Sequence, residues 1–146
     1  MPLKRTEHWA TREYHKFLLA RAKTPFAWGT NDCCLFPADA IEAFTGVDLA
    51  SDFRGKYHDE ASAFALIKTV ANGTTVADAA AYCAAKHGLI ERKFPLTAQR
   101  GDLVTIENGG SLIAGVVHLN GRHVVSVGAS GLLRMPITNV KRAWAV

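Results

Sequence analysis

Hydrophobic positions repeat with a helical period in the first half of the chain and with a strand period in the second half. A first helix is predicted over Thr6–Ala22, where a broad apolar stripe ends before Pro25. A second helix is predicted over about Cys34–Phe44, and Gly46 stands where a C-terminal cap belongs. The first half therefore predicts a helical layer.

Two further helices are predicted from their capping residues. Asp59 is a candidate N-cap for a third helix, which Asn72-Gly73 would close. Thr75, followed three residues later by Asp78, is typical of a capping box and would open a fourth helix that Gly88 stops.

Short apolar runs with period two predict strands in the second half: Leu103–Ile106, Ser111–Leu119, Arg122–Val127, Leu132–Met135 and Ala143–Val146. Helices followed by antiparallel strands indicate an α+β fold. The 146 residues suit a single domain, 1–146, because a chain of this length builds one core.

Asn120-Gly121 is the strongest hairpin signal in the chain. As a two-residue turn it pairs Leu119 with Arg122 and His118 with His123. The two histidines then lie side by side on one face of the sheet, while Ile113, Gly115 and Val117 lie on the other face.

Charge and cysteine content narrow the function classes. The net charge of +4 comes from Lys and Arg spread along the chain without a basic block, so no nucleic-acid binding is expected. No segment has the roughly 18 apolar residues of a membrane span, and no signal peptide is recognised, so synthesis in a cytoplasm is expected. The three cysteines, two of them adjacent, indicate free thiols, and no metal or other cofactor is expected.

The candidate chemistry lies at Cys33, which follows Asp32 just before the second helix. A helix N-terminus lowers a thiol pKa, and the thiolate is the nucleophile of cysteine peptidases, although a buried structural cysteine is the plain alternative. Cys34 is expected to face the core and Cys83 to serve packing. Asp32 would cap the helix or orient the turn.

His118 and His123 are the candidate bases for Cys33, with a solvent-exposed histidine pair as the alternative. Asp102 is expected to fix a turn into a strand. Arg54 and Tyr57 either bind a partner subunit or tie down a loop, and the sequence leaves both interpretations open.

Several segments, taken in their order along the chain, resemble the NlpC-like cell-wall peptidases. These are papain-fold cysteine peptidases that cut the peptide stems of peptidoglycan. These segments are Trp28-Gly29, Asp32-Cys33, Gly101-Asp102-Leu103-Val104, and Ala114-Gly115-Val116-Val117 with Asn120-Gly121. The resemblance implies a papain-like domain with helices packed on an antiparallel sheet. It also implies Cys33 as nucleophile, with Trp28, Gly29 and Asp32 bordering the substrate cleft.

A phage-tail branch of this superfamily is the closer resemblance. The segments that carry it are Pro25-Phe26-Ala27-Trp28-Gly29, Asp32-Cys33, Ala38-Asp39, Thr45-Gly46-Val47-Asp48, Arg54-Gly55-Lys56-Tyr57 and Ala143-Trp144-Ala145-Val146. It implies a virion protein of the tail tip, made in the bacterial host cytoplasm. The expected partners are other tail-tip or hub proteins, and peptidoglycan if the site is active.

The chain departs from the family pattern where catalysis needs polar groups. Ile113 stands at the position of the base and Val125 at the third polar position, and neither side chain can move a proton. Two hypotheses follow. The protein is a structural tail-tip component with a degenerate site, or it is an active peptidoglycan endopeptidase that uses Cys33.

Overall fold

Residues 3–146, which are those that the computed structural model describes, form an α+β fold of four α-helices and a six-stranded antiparallel sheet. Met1 and Pro2, with which the predicted domain 1–146 begins, lie outside the described residues. The helices are α1 His15–Arg21, α2 Leu35–Thr45, α3 Glu60–Ala71 and α4 Val76–Lys86. The strands are β1 Ile90–Glu91, β2 Leu103–Asn108, β3 Ser111–Val117, β4 His123–Gly128, β5 Gly131–Pro136 and β6 Val140–Ala145.

Helix boundaries follow the predicted capping residues. Before α3, Asp59 accepts a hydrogen bond from the Ser62 N–H, and the Ser62 hydroxyl accepts one from the Asp59 N–H. Before α4, Thr75 and Asp78 form the same reciprocal pair, which confirms the predicted capping box. Gly46 follows α2 with a φ of 76°, a left-handed conformation that glycine adopts at low cost.

The predicted first helix begins later than expected and is not regular. A π-helical segment over Trp9–Tyr14 runs directly into α1. Because residues five apart are neighbours in a π-helix, Trp9 and Tyr14 both contact the Phe44 ring, at centroid distances of 5.1 and 5.3 Å. The Tyr14 hydroxyl also donates to the Val117 carbonyl oxygen at 2.9 Å, which ties the helical half to the sheet.

The sheet has the strand order β1-β6-β2-β3-β4-β5. The predicted register of the Asn120-Gly121 hairpin is confirmed, because Val116 pairs with Val125 and Val117 with Val124. The His118 N–H accordingly donates to the His123 carbonyl oxygen at 2.8 Å. Strand β1 was not predicted, since two exposed residues show no alternation.

Each face of the sheet carries its own apolar cluster. Leu103, Val116 and Val125 face the helices and belong to the larger core. The opposite face carries a smaller cluster, to which Ala98 from the loop before β2 contributes: Ala98, Val104, Ile106, Val117, Val124, Val140 and Ala143. The sheet is therefore buried on both faces over its central strands.

Asp102 is fully buried at the start of β2 and links distant parts of the chain. It accepts hydrogen bonds from the Gln99 N–H at 2.9 Å, the Arg92 Nε at 2.5 Å and the Val146 N–H at 3.3 Å. The Arg5 guanidinium lies 3.7 Å from the same carboxylate. The structure confirms that Asp102 fixes the turn into β2. The same carboxylate also contacts Arg5 and Val146, near the two ends of the described chain.

Replacing Gly115 with alanine is expected to lower the free energy of unfolding by about 1–3 kcal/mol. A Cβ at this position would lie 2.8 Å from the Val125 carbonyl oxygen, which is backbone and cannot rotate away. Gly128→Ala is the matched control on the next strand, since its Cβ would meet nothing closer than 3.6 Å. Urea denaturation of both variants measures the difference, and equal stabilities would contradict the packing of β3 against β4.

Candidate functional site

The candidate site is built on a tight turn that precedes α2. The Asn31 N–H donates to the Ala27 carbonyl oxygen at 2.8 Å, and the Ala27 N–H donates back to Asn31 at 3.0 Å. Gly29 has a φ of 84°, and a Cβ there would lie 2.6 Å from the Tyr57 carbonyl oxygen. Only glycine fits this position, because the turn packs directly on the backbone of another loop.

Asp32 is fully buried below this turn and is the centre of its hydrogen bonds. Oδ1 accepts from the N–H groups of Cys34 and Leu35, at 3.0 and 2.9 Å. Oδ2 accepts from the Gly29 N–H at 2.9 Å and from the Tyr57 hydroxyl at 2.5 Å. Asp32 therefore orients the turn and accepts from the first N–H groups at the start of α2, whose N-cap is Cys34, and its burial does not fit the substrate contact that the resemblance implies.

Sequence reasoning left the role of Tyr57 open between two interpretations and did not place this residue at the site. Its hydroxyl reaches Asp32 across 25 positions of sequence, and burial raises its pKa. Arg54, three residues earlier, binds Asp48 through two hydrogen bonds and lies 2.7 Å from Asp39. The Arg54–Tyr57 segment thus ties down a loop, which was one of its two interpretations. The Asp-Cys and Arg-Gly-x-Tyr segments were the only sequence signal for this contact.

Cys33 is buried, with 6% of its surface exposed. Burial, together with the neighbouring Asp32 carboxylate, raises the pKa of its thiol to about 12. The low thiol pKa expected from a helix N-terminus is therefore not found. Helix α2 begins at Leu35, and the Asp32 carboxylate that accepts from the Leu35 N–H adds negative charge beside the sulfur.

Cys34 and Cys83 line a small apolar cavity of about 20 Å³ between α2, α4 and the sheet. Burial raises the pKa of both thiols, to about 12 for Cys83. Ala114 of β3 and Leu103 of β2 complete the sheet side of this cavity. Cys83 is therefore buried in the core and Cys34 is partly buried against it, and all three cysteines are free thiols.

The structure does not bring His118 or His123 to Cys33. The turn before Cys33 is attached to the far end of β4, where the Phe26 N–H donates to the Gly128 carbonyl oxygen at 3.2 Å. The histidines flank the hairpin turn at the other end of this strand, where His123 is roughly 16 Å from Gly128 at 3.3 Å per residue. The contacts of both rings are with Asn120 and Arg134, so the expected role of these histidines as bases is not supported by the geometry.

The two histidines instead interact with their own hairpin. Asn120 contacts Nδ1 of both rings, donating its N–H to His118 at 3.1 Å and placing Nδ2 2.9 Å from His123. Arg134 of β5 lies 3.3 Å from the Nε2 of His118. Burial and the Arg134 charge lower the His118 pKa, which favours the neutral ring.

Apolar side chains occupy the positions where the resemblance places the base and the third polar residue. Ile113 is half-buried and packs against both apolar clusters, while Val125 is fully buried in the core under the helices. Trp28 stacks edge-on against Phe26 and Phe64, with ring centroids 4.9 and 6.2 Å apart. None of these side chains can accept a proton from a thiol.

No three of the histidine, cysteine, aspartate and glutamate side chains of residues 3–146 are grouped so that they could hold a metal ion. Over the same residues, every helix is too short or too polar to cross a bilayer.

Removing the Tyr57 hydroxyl is expected to destabilise the protein by about 1.5–3 kcal/mol, because Tyr57→Phe leaves a buried carboxylate with one donor fewer. Tyr82→Phe is the matched control. It removes a hydrogen bond to Asp52 at 2.8 Å, from a pair that water reaches, so its cost is expected to be smaller. Urea denaturation measures the free energy of unfolding of both variants. Equal losses would contradict the role of Asp32 as the centre of the hydrogen bonds of the turn.

Stability is expected to fall as the pH rises above about 9. The Cys33 thiol has a pKa of about 12 in the folded chain and an ordinary value of 9.0, so the unfolded chain loses this proton first. Its contribution is complete below pH 9 and is lost progressively toward pH 12. Urea denaturation across this range should show a shallower decline for Cys33→Ala than for the wild type, and identical declines would contradict the burial of the thiol.

Comparison with known proteins gives a family for the chain. A search of curated proteins found no match, and a search of solved structures found none either. A family model described as a domain of unknown function, DUF6950, matches residues 4–146. This match covers nearly the whole chain, and the protein therefore belongs to the DUF6950 family.

Proposed function

We propose that the chain is a structural component of the tail tip of a phage or prophage, built on a papain-like NlpC-type scaffold that does not use its cysteine for catalysis. The observation that carries the proposal is the state of Cys33. The thiol at the position of the nucleophile is buried, has a pKa of about 12, and follows a turn that is bound to the Gly128 end of β4, opposite the His123 end.

The backbone donors at the helix start support the same conclusion. A peptidase of this kind stabilises the oxyanion of its intermediate with preorganised N–H groups near the nucleophile. Here the N–H groups of Cys34 and Leu35 both donate to Asp32 Oδ1. These two donors serve the fold, and a substrate carbonyl would have to compete with a buried carboxylate for them.

The tail-tip assignment rests on the ordered segments of the phage-tail branch. Arg54 and Tyr57 lie in one of these segments and hold the loop between α2 and α3 against the turn, so this part of the pattern has a structural use here. Ala143 and Trp144 lie in another and are buried in the sheet. These two segments therefore support a scaffold without requiring chemistry, and the partners would be neighbouring tail-tip or hub proteins.

The proposal predicts that the purified protein releases no soluble muropeptides from isolated peptidoglycan. Because the thiol is protonated and lacks a base, wild type and Cys33→Ala are expected to give the same background. Mass spectrometry of the soluble fraction measures release, and circular dichroism verifies that both proteins are folded. Release by the wild type that is lost in Cys33→Ala would establish the peptidoglycan endopeptidase instead.

The location is tested on particles. Mass spectrometry of purified virions from the source phage or induced prophage should detect the chain, and virions that carry Cys33→Ala should keep their infectivity. Absence of the chain from intact particles would refute the tail-tip location. Loss of infectivity with normal assembly would refute the non-catalytic role.

A further inference from the structure

An apolar patch lies at the β1 edge of the sheet, on the segment that joins α4 to β2. Ile90, Phe94 and Leu96 are 60%, 62% and 61% exposed. They are three of the five large hydrophobic side chains that are exposed in residues 3–146, and they fall within seven positions. Such clustering of large apolar groups in water marks an interaction surface more often than chance exposure does.

The backbone at this edge has unpaired hydrogen-bonding groups. Ile90 pairs with Ala145 of β6, and the Arg92 N–H donates to the Ala143 carbonyl oxygen at 2.8 Å. Because antiparallel strands alternate their hydrogen-bonding direction, the N–H and C=O of Glu91 point away from β6. In the described chain no strand lies beyond β1, so these groups face outward.

The other edge of the sheet is protected differently. The Leu132 N–H of β5 donates to the Ala22 carbonyl oxygen at 3.1 Å, and β5 ends at Pro136, which has no N–H to offer. Covering and proline are usual protections of an edge strand. Edge β1 has neither in the described residues, although it is short.

Cations near the patch outnumber the carboxylates that bind them. Arg5 and Arg92 share the buried Asp102 carboxylate, and Lys93 is exposed beside Phe94. Burial lowers the Arg5 pKa, Asp102 opposes this, and the charges of Arg100 and Arg92 lower it further, which reflects the crowding of guanidinium groups.

The acidic side chain of Glu91 does not offset this excess. Its two oxygens accept hydrogen bonds from Arg142 Nε and Nη2, at 2.9 and 2.7 Å. The surface that remains is apolar at its centre and positive at its rim, which fits a partner with apolar and acidic side chains.

We propose that the β1 edge binds an extended, acidic segment of another protein, which adds a strand at Glu91 and seats apolar side chains on Ile90, Phe94 and Leu96. This is strand addition, in which main-chain hydrogen bonds supply affinity and alternate side chains supply specificity. The surface is separate from the Cys33 turn, so the inference holds whether or not the tail-tip proposal does.

The test uses nuclear magnetic resonance of the isotope-labelled full chain. The probe is a peptide of about eight residues, a usual strand length, that alternates glutamate with valine, and its control alternates lysine with valine. The acidic peptide is expected to shift the Glu91 and Lys93 amide resonances saturably, with smaller effects at β5. Absence of a saturable shift with the acidic peptide, or equal binding of the lysine peptide, would overturn the proposal.

Two variants of Glu91 separate the backbone contribution from the side chain. Glu91→Pro removes the outward N–H without breaking a bond to β6, and Glu91→Ala removes the same ion pair with Arg142 but keeps the N–H. The acidic peptide is expected to bind the proline variant about tenfold more weakly than the alanine variant. Equal affinities would show that no strand is added at Glu91.

Charge reversals give a test that does not depend on proline. Lys93→Glu should weaken binding of the acidic peptide, whereas Lys68→Glu, the same charge change on α3, should leave it unchanged. Equal effects of the two variants would mean that only the net charge of the protein matters. That result would refute the proposed positive rim. Sedimentation of the protein without peptide tests whether a second copy of the chain occupies the edge instead. Self-association that also protects the Glu91 amide would overturn the proposal.

Discussion

The helical half of the molecule depends on one buried carboxylate, that of Asp32. Burying an ionised group without partners is very costly, and no lysine or arginine forms an ion pair with Asp32 in residues 3–146. Its charge is met entirely by dipoles, namely three backbone N–H groups and the Tyr57 hydroxyl. Because these donors come from the turn, the start of α2 and the loop before α3, one side chain fixes the relative positions of all three.

The same carboxylate works against nucleophilic chemistry at the next residue. A reactive cysteine needs positive potential at its sulfur and free donors for an oxyanion. Asp32 places negative charge beside the Cys33 thiol and occupies the N–H groups of Cys34 and Leu35. Structural and catalytic use of a helix start compete for the same N–H groups, and in this chain the structural use has taken two of them.

Local signals made much of the fold predictable. The capping residues Asp59 and Thr75 act within three positions of their partners, and Asn120-Gly121 sets the hairpin register by itself. The π-helical segment could not be foreseen, because it depends on packing Trp9 and Tyr14 against Phe44, which is distant in sequence.

The candidate site was predictable only in its position. The sequence places Asp32 and Cys33 before a helix, which is also where a peptidase nucleophile would be. Whether the thiol is reactive depends on where the carboxylate points and on what covers the turn. Both depend on Tyr57, whose contact with Asp32 spans 25 positions and leaves no periodic signal.

Asp102 shows the other way to bury a carboxylate, with a different consequence for the surface. It uses the side chains of Arg92 and Arg5 in addition to backbone N–H groups. A guanidinium is a full charge on a long side chain, so two of them bring more positive charge than one carboxylate can balance. The excess adds to the charge of Lys93 beside the apolar β1 edge. Thus Asp32, bound only by dipoles, keeps its negative charge beside the Cys33 thiol, whereas Asp102, bound by two guanidinium groups, makes the neighbouring surface positive.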